Sequence, residues 1–133
     1  MKTFFGLVMS IITTSIFSIS ALEIGDAFPK LDGAIAKVKS VDEKVYDLNT
    51  HRGTEGTLVI FSCNHCPFVK KWEDRTRDLG NKYAKNLAVI QINPNDDKAF
   101  PDDSFDNMKL RAKEKGFKFP YVMDSTSKVA TAF

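Results

Sequence analysis

The chain begins with an uncharged stretch over residues 4–19 (FFGLVMSIITTSIFSI) behind a single lysine, and the pattern then changes for the rest of its length. After residue 21, apolar positions come in short bursts between polar turns. Residues 34–38 and 44–48 predict two short strands around the polar turn 40–43. Residues 57–61 (TLVIF) form a β-branched, unalternating run, which predicts a strand buried on both faces as in a parallel sheet. From Pro67 to about Lys85 the period becomes helical. Val69, Trp72, Thr76, Leu79 and Tyr83 fall on one stripe, with charged residues crowding the remainder. Residues 87–92 predict a second buried strand, stopped by Asn93-Pro94-Asn95. A polar loop runs to Pro101, and Asp103 or Ser104 can cap a helix that Gly116 ends. Residues 119–123 predict a third strand, and a last helix starts at Ser125 or Thr126. The alternation predicts an α/β fold with right-handed crossovers.

Composition narrows the function classes. Nineteen Lys+Arg against 17 Asp+Glu give a formal charge of +2, too little for a basic nucleic-acid face. At 43% hydrophobic and 27% charged the chain has an ordinary globular balance, which excludes wholesale disorder. Two cysteines are too few for a disulfide scaffold or a four-cysteine zinc site. The acidic loop 93–106 fails as a calcium loop, because Lys98 and Ser104 stand where glycine and an acid are needed. The alternating aromatics Phe117, Phe119 and Tyr121 read as strand faces, and Lys70-Lys71 as a solvated helix face.

The opening stretch reads as an export signal over residues 1–20. It has one positive charge, an apolar run and small residues at Ser18, Ser20 and Ala21 for a peptidase cut. The run is diluted by Ser and Thr and falls short of the roughly 20 apolar residues a spanning helix needs. Residues 21–133 are then one domain with no stable membrane span, exported to a periplasmic or extracellular space where a disulfide persists.

One motif carries chemistry. Cys63-Asn64-His65-Cys66 stands between a buried strand and a helix, the context of a redox dithiol. With Cys63 as helix N-cap, the amides of His65 and Cys66 and the helix dipole favour its thiolate. Cys63 is then the nucleophile and Cys66, one turn further in, the resolving thiol. His65 can hydrogen-bond or charge-stabilise the thiolate, making the couple more oxidising, between about −270 and −120 mV. A simple staple is a poor reason for so short a loop, worth roughly 2 kcal/mol. A copper-type site of Cys63, Cys66 and His65, with His51 as a fourth candidate, is the alternative from a different class. The reading needs no cofactor; its partners are protein or small-molecule thiols and disulfides and a thiol reductant or oxidant.

In VIFSCNHCPFVKKWEDR (59–75), VIQINPNDDKAFPDDSF (89–105) and KGFKFPYVMDSTSKVATAF (115–133) the chain resembles the thioredoxin-like superfamily, and within it the redoxin branch, the alkyl hydroperoxide reductase/thiol-specific antioxidant family. The resemblance covers nearly all of residues 24–133. It implies a thioredoxin-like fold, a central mixed sheet flanked by helices, and thiol–disulfide or peroxide chemistry. Peroxidase members carry Pro-x-x-x-Thr/Ser ahead of their reactive cysteine. Here VIFS precedes Cys63, so a thiol peroxidase is the second reading. Thioredoxin's buried carboxylate is replaced by Thr57, so a proton relay must come from elsewhere or from water. No proline matches the family's cis-proline, so the chain reads as truncated, without the closing hairpin and helix. That leaves strand 57–61 as an apolar edge and predicts poor solubility.

Overall fold

The structure is a computed structural model that describes residues 21–133. The proposed export signal, residues 1–20, lies outside the described residues. No helix among the described residues is long and apolar enough to cross a membrane.

The first element differs from the strand predicted at 34–38. A helical turn, α1 (Gly33–Ala36), comes first, closed by the Ala36 amide donating to the Asp32 carbonyl at 2.9 Å. Alanine at 34 and 36 favours helix, and the turn drops Ala36 into the core. Strand β1 (Lys37–Lys39) follows and pairs antiparallel with β2 (Val45–Asp47) across the expected turn. Glu43 takes the left-handed conformation there, with φ 65°.

Strands β3 (Thr57–Phe61), β4 (Ala88–Asn93) and β5 (Tyr121–Met123) form a parallel sheet in that order. Helix α2 (Pro67–Tyr83) connects β3 to β4. A 3-10 turn (Pro101–Asp103) and helix α3 (Phe105–Lys115) connect β4 to β5, and α4 (Lys128–Ala132) closes the described chain. An antiparallel bridge between Ser40 and Val122 ties the β1–β2 hairpin to β5, which makes the assembly mixed.

β4 is the buried centre of the sheet. Ile90 and Ile92 meet Leu31, Ala36, Val38, Leu48, Val122 and Val129 on the side of α1 and α4. Tyr121 packs with Met108 and Ala112 of α3 in a second core cluster. β3 is not buried on both faces as its composition predicts. It is an edge among the described strands, and Phe61 is 41% exposed.

The stripe read on α2 is likewise corrected. Trp72, Leu79 and Tyr83 are exposed, while Glu73 and Gly80 are the buried positions. The reason lies in what α2 packs against. Glu73 takes Arg111 Nε at 2.5 Å and Lys115 Nζ at 3.0 Å, both from α3. At Gly80 the Phe119 ring comes so close that a Cβ would stand 2.3 Å from its nearest carbon. Helix α3 starts as read, with the Ser104 hydroxyl accepting from the Asn107 amide, and ends at Gly116 in the left-handed region (φ 67°). The last helix begins later than predicted. The Asp124 carboxylate accepts from the amides of Lys128, Val129 and Ala130, so its cap comes from the end of β5.

Candidate active site

The ladder of β3 extends one step further, with the Ser62 amide donating to the Ile92 carbonyl at 2.9 Å. The chain then turns through Cys63, Asn64, His65 and Cys66 at the C-terminal end of the parallel strand and enters α2 at Pro67. Proline suits this first helical position, because its missing N–H has no intrahelical acceptor there.

The N-cap is Cys66, not Cys63 as the sequence reading has it. Proline fixes the reason: placed at the first helical turn, it sets the helix start one residue after Cys66. The Cys66 sulfur makes no cap bond of strict geometry, yet the Val69 and Phe68 amides lie nearest it. They pull this thiol below its ordinary pKa. Cys63 differs. Burial pushes its thiol up and the Asp103 charge adds to that; the Cys66 and His65 amides at its sulfur oppose the shift without cancelling it. Both thiols are half-buried and unbridged, and they hydrogen-bond each other. In this geometry the two shifts run opposite to the order expected from sequence.

The structure adds a hub that sequence reading passed over. Asp103, which looked like a helix cap, is fully buried beneath the Cys63–Cys66 turn. Its carboxylate accepts from the Asn64 backbone N–H at 2.5 Å, His65 Nδ1 at 2.6 Å and Asn95 Nδ2 at 2.7 Å. Burial opposes its ionisation, but these donors outweigh that cost and hold the carboxyl below its usual pKa. Asn64 is pinned again, donating to the Asp102 carbonyl at 3.0 Å and accepting from the Tyr121 hydroxyl at 3.0 Å. Burial and the Asp103 charge push the Tyr121 phenol up, so it remains a donor at neutral pH.

His65 is held on two sides by one loop. Asp103 takes Nδ1, and the Phe100 ring stacks on the imidazole at 4.6 Å between centroids and 5° between planes. No local signal marks Asp103, because Pro101-Asp102-Asp103-Ser104 reads equally well as a turn ahead of a capped helix. Only the crossover from β4 brings it under the motif.

Cys63, His65 and Asp103 offer atoms within 4.8 Å of one another. The Asp103 oxygens and His65 Nδ1 already bond each other and two further donors, so the cluster is tied by hydrogen bonds. His51 is elsewhere. Its Nε2 lies 3.4 Å from the Val89 carbonyl and its ring meets Tyr46 edge-on, far down the sheet from the thiols.

A Cys-x-x-Cys at the joint of a parallel strand and a helix, on a sheet with helices on both faces, defines a thioredoxin-like protein. Residues 24–133 match the AhpC/TSA family, and the chain belongs to it. An uncharacterised conserved protein of Geobacillus kaustophilus is 40% identical, with a TM-score of 0.68 over 72% of this chain and 52% of that one. A hypothetical protein of Sinorhizobium meliloti is 31% identical, with a TM-score of 0.67 over 72% of this chain and 53% of that one. A secreted Mycobacterium tuberculosis disulfide oxidoreductase shares the fold at 11% identity, with a TM-score of 0.58 over 76% of this chain and 70% of that one. No curated protein matches the chain. The chain spans about half the length of the first two of these structures.

Proposed function

We propose that the protein is an exported thiol–disulfide oxidoreductase that works through Cys63 and Cys66. The observation that carries this reading is two free thiols side by side at one strand–helix joint in unlike surroundings, Cys66 at the start of the helix and Cys63 against the buried Asp103 carboxylate. A structural staple needs no such asymmetry, whereas exchange chemistry needs one thiol that ionises readily and one that waits. Cys66 takes the first role. Its thiolate attacks a substrate disulfide, one substrate sulfur leaves as a thiol, and a mixed disulfide remains. Cys63 then attacks the Cys66 sulfur, closing the Cys63–Cys66 bridge and releasing the second substrate thiol. Run backwards, the same steps oxidise a substrate dithiol. Export fits a disulfide-forming compartment, and the secreted relative of the same fold is by its name a disulfide oxidoreductase.

Glutathione disulfide tests the reading. The reduced protein should release two equivalents of glutathione and form the bridge, and Cys63→Ser should stop at a mixed disulfide. Rapid stoichiometric loss of hydrogen peroxide without any disulfide substrate would favour a thiol peroxidase instead. Release of no thiol from glutathione disulfide would end the oxidoreductase reading.

A further inference from the structure

Closing the bridge requires Cys63 to lose a proton, and Cys63 is the thiol whose surroundings disfavour the thiolate. The position of thioredoxin's buried carboxylate is Thr57, whose hydroxyl donates to the His51 carbonyl at 3.2 Å, well away from the sulfurs. A carboxylate does reach the motif, but from the opposite side of the sequence.

We propose that Asp103 is a positioning residue that fixes His65, a ring nitrogen of which lies within 4.8 Å of Cys63, with its proton on Nδ1, so that Nε2 takes the Cys63 proton, directly or through one water, in the resolving step. This deepens the oxidoreductase reading and rests on it. An ionised carboxylate can only accept, so the 2.6 Å contact requires the hydrogen on Nδ1 and leaves Nε2 as the basic nitrogen. Fixing matters because an exposed imidazole turns freely. Here the Phe100 face and Asp103 hold the ring, while 34% side-chain exposure lets it exchange protons with water. Asp103 is itself immobilised by the Asn64 amide and Asn95.

The Cys63 proton passes to His65 Nε2. The Cys63 sulfur forms a bond to the Cys66 sulfur, and the bond from Cys66 to the substrate sulfur breaks. That sulfur departs with the electron pair and takes up a proton; His65 returns its own to solvent. The protein dithiol is oxidised by two electrons and the substrate disulfide reduced by two. While it lasts, the imidazolium is paired with the Asp103 carboxylate. The other charged or titratable groups around the pair are Cys66, Asp102, the Tyr121 hydroxyl of β5 and, further off, Arg111 of α3 paired with Glu73 of α2.

Single-turnover reaction of the full chain with glutathione disulfide separates the two thiol-release steps. In Asp103→Asn the second release should slow about tenfold more than the first, so that mixed disulfide accumulates. Unchanged partition between the steps would overturn the proposal while leaving the oxidoreductase reading intact. A wild-type chain that never closes the bridge would instead overturn that reading, and the proposal with it. Nitrogen-15 NMR of wild-type His65 gives a test independent of any variant's folding. The proposal requires hydrogen on Nδ1 and a bare Nε2 in the neutral ring; hydrogen on Nε2 would overturn it.

Discussion

Gly80 is where the fold leaves least room, and Gly80→Ala is a sharp test of how α2 is seated. An alanine Cβ would stand 2.3, 2.7 and 2.9 Å from three carbons of the Phe119 ring. Ordinary carbon contacts lie at about 3.5–4.0 Å, so the ring must retreat by roughly 1 Å. Phe119 is 7% exposed and stacks on Phe117 at 5.1 Å, so it has little space to enter. Overpacking of this kind costs about 1–3 kcal/mol. Alanine's better helix propensity offsets about 1 kcal/mol. With three ring atoms in conflict we expect the upper part of the range and a net loss of about 2 kcal/mol. Urea unfolding of the full chain measures it, and Gly80→Ala/Phe119→Leu should regain part of the loss because the smaller side chain vacates the space. A Gly80→Ala protein more stable than wild type by the propensity gain alone would refute the packing described for α2.

Three further outcomes follow from the site and its supports. With iodoacetamide near neutral pH, Cys63→Ser, which keeps Cys66, should alkylate faster than Cys66→Ser; equal or reversed rates would contradict Cys66 as the capping thiol. Asp103 ionises below its ordinary value of 3.8, so its stabilisation is present above that pH and disappears as pH falls through its folded value. Acid unfolding of Asp103→Asn should therefore depend less on pH in that window, and parallel curves would count against a charged Asp103. Arg111→Ala leaves buried Glu73 with Lys115 alone and should cost about 3 kcal/mol in urea unfolding; a loss below about 0.5 kcal/mol would mean the pair is solvated.

The elements legible in the sequence were those whose signals are local. Thr57–Phe61 and residues 87–92 are β-branched runs with hard stops, and Ser104 with Gly116 brackets α3 by capping chemistry alone. The Cys-x-x-Cys context, too, is contiguous in sequence. What escaped was set by distant partners. Trp72, Leu79 and Tyr83 have helical spacing, but a Glu73–Arg111 ion pair and the Phe119 ring at Gly80 decide which face turns inward. The thiol order depended on placing the helix start to within a turn, and Pro67 moves the cap to Cys66. Asp103 lies 38 residues from His65 in sequence, so no spacing rule joins them before the sheet does.

The redox state of the Cys63–Cys66 pair, read after equilibrating the reduced protein in glutathione buffers of graded potential, tests the central claim most directly. A redox-active pair shows a single two-electron transition with a midpoint between about −270 and −120 mV. A bridge that stays closed below about −300 mV, or thiols that never pair, would contradict it.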